Sequence, residues 1–247
     1  MSSGKPGETE QWTEATIGDV VVDLLPLRPG RSPAAAVIVL PDYDGRSVTR
    51  FPSLAKALAE TSLPILSPRV THCWWTSQSD LAPLPVPPLE FVRETLCGFV
   101  RQRWNIEPPR IALMGIGTGG QGALQLAYRH ARMFPTVAAI APAIDFHAWH
   151  GRGLDLDQLF DSQEAARQQT VTLHLHPLNW PRHQLLVCDP ADPFWFEGCE
   201  RLASKLFSSG IPFEYDFETT ADGNRERYVD MVSEPLARFL TEHLAGS

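Results

Sequence analysis

A chain of 247 residues with 43% hydrophobic and 20% charged residues has the balance of an ordinary globular protein, with room for one large α/β domain or two small ones. A formal net charge of -8 and a pI near 5.5 argue against electrostatic attachment to nucleic acid or anionic lipid. No apolar run reaches the ~20 residues of a membrane span, and the opening MSSGKPGETEQ lacks the hydrophobic stretch of a secretory signal, so a cytoplasmic location is expected.

Residues 1–11 are small, polar and charged and read as a disordered tail, leaving 12–247 as a single domain. TIGDVVVDLLPL (16–27) is rich in valine and leucine around a Gly-Asp pair and predicts one or two edge strands. AVIVLP (36–41) is a short continuous apolar run, as expected of a strand buried on both faces. Phe51, Leu54, Ala55 and Leu58 then fall at helical spacing, and LPILSP (63–68) reads as the next buried strand. The stretch 69–87, with Trp74, Trp75 and several prolines, reads as a loop. Leu89, Val92, Leu96, Phe99 and Val100 rebuild a helical stripe before the strand RIALM (110–114), and GIGTGGQGALQLAYRHA turns sharply into a helix. TVAAIAP, QLLVCDP and PFEYDF are the later strands. Helices with apolar stripes follow the last two, at Phe196, Cys199, Ala203 and Phe207 and then at Tyr228, Met231, Val232, Leu236, Phe239 and Leu240.

This alternation predicts an α/β fold with a mostly parallel central sheet of about eight strands, flanked by helices on both faces and joined by right-handed crossovers. A polar, histidine-containing segment at 146–182 interrupts it and is expected to form an excursion near the site. Cys73, Cys97, Cys188 and Cys199 show no CxxC pairing and read as reduced, partly buried thiols.

In such folds ligands collect beyond the carboxyl ends of the strands. The sharpest strand-to-helix turn runs from Met114 to Leu124. A nucleophile elbow reads G-x-S-x-G between strand and helix; here Gly115 and Gly119 frame the pattern and Gly117 holds the serine position. The turn resembles that of an esterase family of α/β-hydrolases, which includes S-formylglutathione hydrolases and bacterial acetyl esterases and reads roughly G-x-S-M-G-G-x-G-A. Gly115, Gly119, Gly120, Gly122 and Ala123 fit, whereas Gly117 and Thr118 depart. The resemblance runs from about residue 35 to the C-terminus and implies an α/β-hydrolase fold with the frame of a carboxylesterase.

The resemblance also implies where the other triad members would stand. CDPADPFW resembles the turn carrying the acid, with Asp192 the best match and Asp189 second; Asn224, in Gly223-Asn224-Arg225, stands where the family has histidine. No histidine occurs between His183 and His243. The Thr118 N–H is the implied first oxyanion donor and the Tyr43 N–H the second, in a loop where Asp42 and Asp44 bring opposing negative charge. Glycine offers no atom to acylate, and asparagine accepts no proton at neutral pH.

The expectation is therefore a catalytically inactive, hydrolase-like binding protein with vestigial triad positions Gly117, Asp192 and Asn224, and with no cofactor or metal. Its old pocket, with Asp42, Trp74, Trp75 and Trp195 as lining candidates, would take a small acyl or ester-like ligand or serve a protein partner. Two alternatives stay open. One is an active hydrolase using other residues. The other is nucleotide binding through the G-x-G-x-x-G pattern at Gly115–Gly120, which would require this turn to belong to the first βα unit. The histidines at 147, 150, 174, 176 and 183 form pairs without the spacing of a complete zinc site.

Overall fold

The computed structural model describes residues 12–26, 34–78 and 82–244. The expected tail at 1–11 lies outside these residues, as does Leu27. Strands β1 (Thr13–Ile17), β2 (Val20–Leu25), β3 (Ala36–Leu40), β4 (Ile65–Pro68), β5 (Ile111–Ile116), β6 (Thr136–Ile140), β7 (His183–Val187) and β8 (Glu214–Asp216) form one sheet, ordered β1-β2-β4-β3-β5-β6-β7-β8. From β4 to β8 every neighbour is parallel; only β1–β2 and β2–β4 pair antiparallel. The helices are α1 (Pro52–Glu60), α2 (Pro88–Glu90), α3 (Cys97–Trp104), α4 (Thr118–Arg129), α5 (Leu156–Leu159), α6 (Gln163–Arg167), α7 (Phe196–Ser208) and α8 (Arg225–Leu244). A π-helical segment, Phe91–Leu96, joins α2 to α3. Helices flank the sheet: α1 packs along α8, while α4 lies along β5 and β6.

The continuous apolar runs become the centre of the sheet. β3, β5 and β6 are buried at every residue, and β5 lies between the other two. The valine-rich segment near the start becomes a hairpin. Ile17 faces Val20, and Gly18 and Asp19 have φ of 52° and 64°, the two positive values a type I′ turn needs. Its first strand begins at Thr13, three residues earlier than the apolar pattern begins, because Thr13 and Glu14 sit exposed on the sheet edge. PFEYDF shortens to three paired residues: Pro212 has no N–H to give, and β8 has β7 alone as a partner.

Gly119 fixes where the first turn of α4 sits. A Cβ there would overlap the carbonyls of Leu40 and Pro41, so the start of α4 rests directly on the end of β3. That contact brings the loop after β3 over the turn after β5. All four cysteines are buried and none is in a disulfide, and among the described residues no helix is long and apolar enough to cross a membrane.

Candidate functional site

Four segments converge beyond the carboxyl ends of the strands: the loop after β3, the β5–α4 turn, the loop after β7 and the loop entering α8. Gly117 stands at the tip of the β5–α4 turn with φ 56° and ψ -119°, a conformation L side chains rarely adopt. Its N–H donates to the Ile140 carbonyl at 3.0 Å, and its carbonyl accepts from Gln121 and Ala143, so the turn is tied to the end of β6. The turn has the strand-to-helix backbone course of an elbow, with glycine at its tip.

The space a side chain would occupy is already filled. A Cβ on Gly117 would overlap both the Asp42 carboxylate and the Arg225 guanidinium. These two form an ion pair, Arg225 Nη1 to Asp42 Oδ2, at 2.7 Å. The other carboxylate oxygen, Asp42 Oδ1, accepts the Thr118 N–H at 2.9 Å. Asp42 thus takes the donor that would stabilise an oxyanion. Asp44, by contrast, turns outward to pair with Arg46 at 3.2 Å. Beside the ion pair lies a polar cavity of about 400 Å³, lined by Asp42, Arg46, Phe51, Asn224 and Arg225 among others.

Asn224 does not face Gly117. Its side-chain oxygen accepts the Arg227 N–H at 3.0 Å and so caps the first turn of α8, which leaves the following residue, Arg225, to reach the elbow. The two candidate acids divide in the same way. Asp192 accepts the amides of Phe194 and Trp195 at 2.8 and 2.9 Å, closing the turn that enters α7. Asp189, 3% exposed, accepts from the Ala191, Ala221 and Gly223 amides and from the Thr220 hydroxyl, all between 2.8 and 3.0 Å. Burial alone would push its pKa up, but those four donors together hold it below the usual carboxylate range. Asp189 therefore ties the loop after β7 to the loop before α8.

The pocket candidates separate. Asp42 lines the cavity. Trp75 does not: it is fully buried in the main core, where its indole N–H donates to the Pro41 carbonyl at 3.0 Å. Trp74 belongs to a small second core with Phe146, Leu156 and Phe160, built where the 146–182 excursion folds over it. Trp195 packs edge-on against Trp149 of the same excursion. Aromatic surface that would greet an acyl group is thus largely spent on packing. The Tyr43 hydroxyl donates to the Asp155 carboxylate of the excursion, and His72 Nδ1 lies 2.8 Å from the same carboxylate. These two donors hold Asp155 below its usual pKa and latch the excursion to the β3 loop.

The nucleotide alternative fails on position and charge. The glycine-rich turn follows the fifth strand of the chain, and the helix N–H at Thr118 is already bonded to a carboxylate that would repel phosphate. The histidines are dispersed, and among the described residues no three His, Cys, Asp or Glu side chains gather as metal ligands would.

The sheet order, the left-handed turn after β5 and the helix behind it define an esterase-like α/β-hydrolase fold. The model of the family described as Putative esterase matches residues 86–203, which bears out the resemblance read from the elbow. Solved structures agree. A ferulic acid esterase is 12% identical, with 94% of this chain and 98% of its own covered and a TM-score of 0.74. The fluorophosphonate-binding serine hydrolase F of Staphylococcus aureus is 14% identical, with 94% and 97% covered and a TM-score of 0.73. An S-formylglutathione hydrolase from Agrobacterium tumefaciens is 14% identical, with 95% and 94% covered and a TM-score of 0.73. At such identities what is shared is the fold. No curated protein sequence matches the chain.

Proposed function

We propose that this protein is a pseudoenzyme of the esterase type, in which Gly117, Asp192 and Asn224 are vestiges of a triad and the former oxyanion site is closed by the chain itself. The observation that carries the reading is the Asp42 carboxylate on the Thr118 N–H, paired to Arg225 above Gly117. With the Thr118 N–H already bonded to Asp42, a developing oxyanion would lack that donor, and the loss of one such donor costs about 2.7–4 kcal/mol, roughly a hundred- to a thousandfold in rate. Missing nucleophile and missing base compound that loss. The protein then acts by binding, either a small acyl or ester-like ligand beside the elbow or a protein partner. A reducing compartment such as the cytoplasm suits its four cysteines, none of which is in a disulfide.

The test is steady-state hydrolysis of p-nitrophenyl acetate beside a matched non-enzymatic protein. The native chain should not exceed that control. Gly117→Ser with Asn224→His should stay near it too, because Asp42 still occupies the oxyanion donor. Robust turnover by the native chain that survives Asp192→Ala would place the chemistry elsewhere and overturn the reading.

A further inference from the structure

A second cavity, about 720 Å³, opens at the other end of the sheet, where β6 and β7 begin. Its volume falls in the range of small-molecule sites. Arg132 and Arg182 line it, and among the described residues neither makes an ion pair or a side-chain hydrogen bond. Glu242, the one acid of the lining, is matched from outside by Arg238 at 4.0 Å. An adjoining hollow shares Arg132 and adds Arg129. Arg129 contacts His174 Nε2 at 2.8 Å and Gln169, but no carboxylate among the described residues, and its buried Nε has no partner. Arg132 and Arg182 in this groove, and Arg129 in the hollow beside it, thus have no carboxylate partner among the described residues, in a protein of net charge -8, with Glu242 the acid that shares the groove.

The groove also offers flat surface. Trp180 lines it, and the rings of His183 and His243 stack with centroids 4.0 Å apart and planes 16° apart. Burial, together with the neighbouring His243 and Arg182, holds His183 below its usual pKa. The stack presents a flat ring face beside the arginines, with His243 Nε2 3.2 Å from the exposed Glu214 carboxylate.

We propose that this groove binds a small anion in which a planar ring carries a phosphate or carboxylate group, the anion meeting Arg132 and Arg182 and the ring lying against Trp180 and the His183–His243 pair. Guanidinium suits either anion through paired N–H donors, and it sits beside aromatic surface without the strong hydration of an ammonium. The site is independent of the elbow and stands whether or not the protein hydrolyses esters.

Titration calorimetry on the full chain tests it with four probes: adenosine 5′-monophosphate, indole-3-carboxylate, adenosine and inorganic phosphate. One or both ring-bearing anions should bind at least about tenfold more tightly than adenosine or phosphate, and the preferred one identifies the anion. Arg132→Glu with Arg182→Glu should weaken that binding about tenfold or more, with unchanged circular dichroism. If that variant fails to fold, Arg182→Gln should still weaken binding several-fold. Binding of neither ring anion, adenosine binding as tightly as its phosphate, or folded variants that bind like the native chain would each overturn the proposal.

Discussion

Gly117→Ser should destabilise the protein by about 2–6 kcal/mol, measured as a fall in the urea midpoint at constant slope. Two costs add. The residue sits at φ 56° and ψ -119°, where a side chain is strained by about 1–3 kcal/mol. The new Cβ also overlaps the Asp42–Arg225 ion pair, and forcing atoms into filled space costs about 1–3 kcal/mol more. The two are separable. With Asp42→Ala alongside, the overlap with the carboxylate should disappear while the overlap with Arg225 and the backbone strain remain, giving a favourable coupling of about 1 kcal/mol or more in a double-mutant cycle. Additivity of the two changes would mean that Asp42 does not occupy the serine's place.

Asp189→Ala should cost about 3–5 kcal/mol, since four donors that tie two loops together lose their acceptor at once, one of them the buried Ala221 amide. The carboxylate's pKa is lowered in the folded state. Its contribution is therefore fully present above the unfolded value near 3.9 and is lost as pH falls through the lower folded value. Urea unfolding followed from pH 6 down to pH 2 should show an acid-side loss of stability in the native chain, and Asp189→Asn should flatten that limb. Asp192→Ala, by comparison, removes one turn-closing group at the surface and should cost about 1 kcal/mol. Equal losses for the two aspartates would contradict the division of labour between them.

Much of the frame was legible because it rests on local patterns. Continuous apolar runs marked β3, β5 and β6, and the crowded glycines from Gly115 to Gly122 marked a turn where backbones touch. The site was legible only in part. The glycine at the elbow's tip could be read from the sequence alone, but the ion pair that fills the space beside it could not. Whether the Asp42 carboxylate turns in or out depends on Arg225, 183 positions away in the chain, and no local rule joins the two. Asn224 drew attention by its place in a motif, yet a short polar side chain at a helix start is a cap first, and capping commits it. An arginine directly after that cap was the available signal. Asp189 and Asp192 look alike in CDPADPFW; only the fold reveals that one is buried among donors and the other closes a turn. Trp74 and Trp75, adjacent in the chain, point into two different cores, a distinction that composition does not carry.

Covalent trapping tests most directly whether the chain's own ion pair fills the place of a nucleophile. The native protein, incubated with a fluorophosphonate probe at neutral pH, should show an unchanged intact mass, while a serine hydrolase treated in parallel gains one adduct. Stoichiometric labelling of the native chain, mapped by peptide mass spectrometry to a residue lining the cavity beside Gly117, would show that a reactive nucleophile stands there and that Asp42 and Arg225 do not close the site.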